Sequence, residues 1–418
     1  MSVLVLHRGP LEPSPYDEWL ADYEGDVLLL ASREQLELAG EELPRGTGYR
    51  HIEAVPGYDV SGRVELRALE LARAYRVRHI VACQERDLER AAQLREILGL
   101  PGQRLPSATA FRDKVVMKEL VRAAKVAVAS YAEVECAADL IAFARAHGFP
   151  LVLKPRNGGG SVDLRILYSG QELDALLAAE PLLGAGLQPN LIVEAFVPGS
   201  VCHVDGLVVD RRVVFAWPSQ YLYALTSFKD DPNGRFDVTL DRDDPLGRRL
   251  LALTDRVLDA LPGPAHFAFH AEIFHTPDDR LVLCEIACRT GGASIRDITR
   301  TLFGADPTEW WVRAQVGLPL GKVEDARRLQ PARMAGQLAL MKRPGQVVGV
   351  PGEPPFAWVE RSRVFVKPGQ VMDEAAFSGD FMAVFVVSAP TRDVTEARLR
   401  ELETWFAANV AIAEPCLA

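Results

Sequence analysis

The chain has 418 residues, 48% of them hydrophobic, and a formal net charge of −10 with both signs interspersed. That is enough apolar matter for roughly two to four cored domains, and it excludes a surface built to coat nucleic acid, although a local basic cleft stays open. No apolar run approaches the roughly 20 residues of a membrane span, and the opening MSVLVLHRG lacks the plan of a signal peptide.

Cys83, Cys136, Cys202, Cys284, Cys288 and Cys416 form no paired framework, so a reducing cytoplasm is the expected compartment. Cys284 and Cys288 lack the partners of a metal site and read as buried structural residues. Eight of the 47 cations are lysine. In so arginine-rich a chain a retained lysine marks a place for a compact point charge, which singles out Lys114 and Lys154.

In chain order, VLVLH, DVLLLA and HIVACQ predict buried parallel strands, with VELRALELARAYR before the third and DLERAAQLREILG after it as amphipathic helices. This is a Rossmann-like α/β domain over 1–105, without the GxGxxG of a dinucleotide site. GLPGQRLPSA closes it. From 106 to 320 helices and strands no longer alternate strictly, which predicts an α+β domain with antiparallel sheets. The strand SYAEV and helix DLIAFARAHG lead to FPLVLKP and LRILYS around a glycine loop, then helix ELDALLAAE; these make a first lobe over about 106–190. LIVEAFV, the strand pair in VCHVDGLVVDRRVVFAW, a helix from Pro245 to near Gly263, and a final hairpin make a second over about 191–320. Residues 321–418, with RMAGQLALM, SRVFVKPG, MAVFVVSAP and the helix TEARLRELETWFAAN, read as a small C-terminal β-rich lobe.

The hairpin HAEIFHTPDDRLVLCEIACRTGG carries one glutamate on each strand. Closed at Asp278 and Asp279, it pairs residues whose numbers sum to 557, so Glu272 faces Glu285 and His270 faces Ala287. Opposed carboxylates, with Cβ atoms about 4.5–5.5 Å apart, either chelate a hard cation such as Mg²⁺ or share a proton. The loop KPRNGGGS, Lys154 to Ser161, has the backbone freedom to cover a phosphate, though an ordinary turn would explain it as well. Lys154 ends an apolar strand, and Lys114 sits in a helical first turn where a cation opposes the dipole. Glu194 precedes Pro198-Gly199 and either accepts from a purine amine or is a plain edge-strand charge. His270 lines a pocket or is a satisfied core group. Arg289, leading into Gly291-Gly292, would suit a carboxylate or phosphate. Trp217, Tyr221, Tyr223 and Arg296 are further pocket candidates, with packing the simpler reading of the aromatics.

FRDK, GFPLVLKPRNGGGS, LIVEAFVPG with HVDG, and HAEIF…LCEIACRTGG stand in the order they have in the ATP-grasp superfamily. The chain resembles that superfamily, and within it the amino-acid and dipeptide carboxylate–amine ligases. The resemblance implies a pre-ATP-grasp domain, two lobes gripping ATP, and an ADP-forming ligase working through an acyl phosphate. It implies small carboxylate and amine substrates, amino acids among them, with Mg²⁺ as cofactor and Mn²⁺ as an acceptable substitute. By analogy alone it also implies a homodimer.

Carried over by motif, Lys114 and Lys154 hold phosphates under Gly158, Gly159, Gly160 and Ser161. Glu194 with the backbone of Ala195 and Val197 holds adenine, and His203 or Asp205 is assigned to the ribose side or to structure. Glu272 and Glu285 bind metal, while Arg289 binds the acyl phosphate and, with His270, Gly291, Gly292 and Arg296, the substrate. Lys154, Glu285 and Arg289 form the catalytic set. The chain departs from the pattern at Ala287, where relatives have an asparagine ligand to a second metal, and at Val201, where many have glutamate. A biotin-type carboxylase, a kinase of a nucleotide precursor and a nucleotide-binding scaffold remain as alternatives.

Overall fold

The structure, a computed structural model, describes residues 1–46, 48–179, 190–223, 233–320 and 328–413. Cys416 and Glu180, the last residue of the expected helix ELDALLAAE, lie outside the described residues.

In the N-terminal sheet all strands are parallel, in the order Tyr49–Val55, Asp26–Ser32, Ser2–His7, Val77–Ala82. Alternate side chains serve two cores: Val3, Val5 and Leu29 face one, while Leu4, Leu6, Leu28 and Leu30 meet Val64 and Ala68 of the helix Arg63–Tyr75 in the other. Coverage of both faces explains the unbroken apolar runs. The strand Tyr49–Val55 went unrecognised because YRHIEAV, at the sheet edge, is mostly half-buried and carries charge.

The first lobe is a four-stranded antiparallel sheet, ordered Tyr131–Val134, Leu191–Ala195, Leu151–Pro155, Arg165–Leu167. Helices Ala137–His147 and Gly170–Ala179 pack on it through Leu140, Phe143, Leu173 and Leu176. The helix Lys114–Ala123 is capped by Asp113, whose side chain accepts from the N–H groups of Val115 and Val116.

The second lobe is an eight-stranded antiparallel sheet, ordered Leu281–Ala287, Phe267–His275, Ser200–Val209, Arg212–Tyr221, Arg235–Thr239, Met334–Met341, Phe381–Ala389, Val359–Val364. The C-terminal residues therefore do not build a separate main sheet. Three of their strands extend this one, while Val371–Met372, Gly345–Gly349 and Ala411–Ala413 form a small second sheet. The helix Pro245–Ala260 is capped by Asp244 and stops at Leu261, short of Gly263. Arg289, just past one edge strand, and Arg361 and Arg363, on the opposite edge strand, line one cavity. The sheet thus curls until its two ends approach across the helix Ile295–Phe303. No described helix is long and apolar enough to cross a membrane.

Candidate active site

The hairpin register places Glu272 opposite Glu285 and His270 opposite Ala287, as the sequence predicts. The route to it differs. Thr276 N–H donates to Arg280 O, leaving a three-residue loop, Pro277 to Asp279, with Asp279 at φ 58°. Pairs near that loop sum to 556, since Ile273 faces Leu283. A bulge at Cys284 adds one residue and restores 557 at the glutamates. Cys284 and Cys288 are buried and unpaired, and burial pushes the Cys284 thiol up to about 12.

Three lysines converge on this region. Lys114 Nζ lies 3.2 Å from Glu285 Oε2 and donates to Gly158 O at 2.7 Å. Burial opposes the charge on Glu285, but Lys114 and Lys154 outweigh it and hold its carboxyl at about 2. Lys154 Nζ lies 3.2 Å from Glu194 Oε2, and Lys118 Nζ lies 3.3 Å from Glu194 Oε1 while donating to Cys284 O. Lys118 is completely buried. Burial would raise the Glu194 carboxyl, and the two lysines instead hold it below its ordinary value. Glu194 thus sits between two cations inside the lobe, with Oε1 making no hydrogen bond among the described residues. The N–H of Ala195 is also engaged, by Ser130 O at 2.9 Å. Val197, in the connection between the lobes, remains for a purine edge.

The glycine loop lies over this cluster. Positive φ falls on Gly160, Ser161 and Asp163 rather than on all three glycines. Arg112 Nη2 donates to Asn157 O at 2.6 Å, and Ser378 Oγ donates to Gly160 O at 2.8 Å. Arg289 Nε donates to Glu85 Oε2 at 2.7 Å, and Arg112 donates to the other oxygen of Glu85. Burial would raise the Glu85 carboxyl, and Arg289 and Arg112 hold it below its usual range.

Beneath Glu272 runs a chain of polar groups. His270 Nε2 lies 3.5 Å from Glu272 Oε1, and its Nδ1 pairs with Asp205 at 2.9 Å. Asp205 also pairs with His203 Nδ1 at 2.6 Å, and His203 Nε2 pairs with Asp237 at 2.9 Å. Burial opposes both imidazolium charges, but Asp237 with Asp205 raises His203 to about 10, and Asp205 raises His270 to about 9. Gln337 donates to Asp237 and accepts from Ser294 N–H. His203 is buried with both ring nitrogens used, so it supports the strand rather than reaching a ribose. Gly291 is dictated by this chain: a Cβ there would lie 2.8 Å from Asp205 Oδ1 and 2.6 Å from Ile295 Cδ1. Gly292 faces open space.

Among the other candidates, Arg296 lines the cavity but makes three hydrogen bonds to Asp306. Trp217 is core, its indole N–H donating to Leu240 O. Tyr221 stacks on His203 and Tyr223 lies under Arg235. Reading the sequence missed Lys118, Glu85, Arg112, Asp237 and Gln337. Lys118 alone carried a signal, being a scarce lysine one helical turn from Lys114.

The donor set fits a nucleotide triphosphate with a divalent cation. Paired carboxylates offer hard oxygen ligands, Lys114 and Arg112 donate to the glycine loop, and Arg112 Nε is buried without a hydrogen-bond partner among the described residues.

No family model matches the chain. It is 28% identical over 215 residues to the L-arginine-specific L-amino acid ligase of Bacillus subtilis, covering 50% of this chain and 51% of that one. The chain therefore spans about half the length of that curated relative. The crystal structure of L-amino acid ligase from Bacillus licheniformis superposes with a TM-score of 0.77 at 16% identity, covering 99% of this chain and 98% of that chain. The ADP complex of N5-carboxyaminoimidazole ribonucleotide synthetase gives 0.67 at 14% identity, with 96% of each chain covered. These likenesses show the fold that the chain shares with the two solved structures. In sequence it is similar to the L-arginine-specific L-amino acid ligase over half its length, and in fold to an L-amino acid ligase.

Proposed function

We propose that this chain is an ATP- and Mg²⁺-dependent carboxylate–amine ligase that forms an amide bond through an acyl phosphate, releasing ADP and phosphate. The carrying observation is that one cleft gathers the Glu272–Glu285 pair, Lys114, Lys154, the glycine loop and Arg289 from separate parts of the chain. An N-terminal domain over 1–105, a body over 106–320 whose main sheet the strands of 321–418 complete, and a cytoplasmic setting belong to the same reading, the last supported by five unpaired cysteines among the described residues.

Bound ATP with Mg²⁺ would supply the phosphoryl group and the cation that Glu272 and Glu285 ligate. A substrate carboxylate oxygen attacks the γ-phosphorus as the bond to ADP breaks. The amine nitrogen then attacks the acyl carbon, phosphate leaves, and the amine loses its proton. Lys114 and Lys154 stand where charge spreads over transferred oxygens, and Arg289 stands at the acyl phosphate. The glycine loop, tied down by Arg112, Lys114 and Ser378, keeps water from the intermediate. Ala287 supplies no ligand opposite His270, which leaves Glu272 and Glu285 as the carboxylates for a single metal.

The test is ADP release across paired amino acids, small carboxylates and amines with Mg²⁺, with amide product detected by mass. Chelation by EDTA should abolish release and added Mg²⁺ restore it. A second reading, carboxylation, draws on the fold shared with the carboxyaminoimidazole synthetase. Bicarbonate-dependent ADP release without amide would favour it, and AMP as product would overturn both.

A further inference from the structure

Resting on the ligase reading, we infer that the acid substrate carries a second anionic group, carboxylate or phosphate, held by Arg300, Arg361 and Arg363 in the cavity that Arg289 also lines. The cavity, of about 320 Å³, lies between the N-terminal domain, the turn Arg289 to Ala293, and the edge strand Val359–Val364. Five arginines line it: Arg289, Arg296, Arg300, Arg361 and Arg363. Glu85, Asp297 and Asp306 pair with them directly, and Glu309 lies near Arg296 and Arg300.

The arginines divide by how they are satisfied. Arg296 makes three hydrogen bonds to Asp306, while Arg289 directs Nε to Glu85 and Nη1 to Thr290 O, two of its five donors. Arg300, Arg361 and Arg363 instead converge on Asp297 at 3.8, 3.9 and 3.3 Å, as ionic contacts without a hydrogen bond, and Arg300 also lies 3.8 Å from Asp306, which Arg296 already engages. These carboxylates cannot satisfy three further forks of N–H donors. Each of the three remains 32–49% exposed toward the cavity side of the molecule, while Asp297 is nearly buried. Planar donors left over in a concave site are what a bidentate anion needs.

Asp297 and Arg300 share a helix with Arg296, which begins just past Gly292. One anionic end of a substrate therefore reaches Arg289 and the open face of Gly292, while the other reaches the arginines. The three guanidiniums oppose a cationic side chain such as that of arginine, and an uncharged side chain would leave them unmatched.

The experiment is calorimetric binding of L-glutamate and O-phospho-L-serine against L-glutamine, L-leucine and L-arginine, alongside ADP release with each. The two anionic probes separate a carboxylate site from a phosphate site. At least one should bind roughly tenfold or more tightly than L-glutamine, given about 1.5–3 kcal/mol for a charged hydrogen bond. Arg361→Gln/Arg363→Gln should remove that advantage and raise the acid KM, with the ATP KM unchanged; Arg363→Lys should recover part of it. Both residues are partly exposed on an edge strand, and unchanged unfolding midpoints confirm that the variants fold. Equal or tighter binding of L-glutamine or L-leucine, or a preference surviving in the double variant, overturns the inference. If the ligase reading alone is wrong, ADP release fails for every acid while the binding preference and its loss in the variant persist.

Discussion

Glu85 and Arg289, 204 positions apart, share a hydrogen bond of 2.7 Å, and it joins the N-terminal domain to the turn that follows the strand carrying Glu285. Glu85 also receives Arg112, so one carboxylate fixes two guanidiniums beside the glycine loop. Replacing Glu85 by Ala should lower kcat about tenfold to a hundredfold, since a displaced Arg289 no longer meets developing charge. Steady-state kinetics on a variant with an unchanged unfolding midpoint checks this.

Glu285→Ala should reduce ADP release at least about a hundredfold and leave the fold intact, because this carboxylate lies at the cleft and is part-exposed. Glu272→Ala should behave alike. Near-normal turnover in either would remove the metal assignment.

Lys118→Met should cost about 3 kcal/mol in urea unfolding, because it withdraws one of two cations from the buried Glu194. Pairing it with Glu194→Gln should cost less than the two single changes together, and the cycle measures that coupling directly.

Gly291→Ala should destabilise the chain by about 1–3 kcal/mol and impair activity more than stability predicts. The added methyl group meets Asp205, which orients His270 beneath Glu272. Equal activity in the variant would show that this chain does not set the position of Glu272.

His203 has its folded value raised from 6.5 to about 10 by its two aspartates, against the opposing effect of burial. A raised imidazolium stabilises the fold fully below pH 6.5, and that contribution fades as pH rises through about 10. Its size is on the order of a few kcal/mol. The urea midpoint should fall between pH 6.5 and 10 in the native chain, and the fall should be smaller in His203→Gln.

Much of this site lay open in the sequence, for reasons particular to each residue. Lys114 and Lys154 were legible because lysine is scarce and both occupy places where a cation is locally unfavourable. The glutamate pair was legible although the turn was misjudged, since the Cys284 bulge offsets the extra loop residue. No local pattern announces such a bulge. Glu85 was hidden because its partners are set by how domains meet, whereas Lys118 shared the scarcity signal of Lys114 one helical turn away. Strand order beyond residue 320 was illegible as well, since alternating apolar residues say that a strand forms and not which strand it joins.

The unbroken eight-stranded sheet makes this chain hard to divide. A cut after residue 320 would not release a smaller working unit. It would leave Arg235–Thr239 as a raw edge stripped of its partner Met334–Met341, open to pairing with other chains. Exchange of the last hundred residues with a relative would likewise be a graft into the middle of a sheet, with hydrogen-bond register as the condition of success.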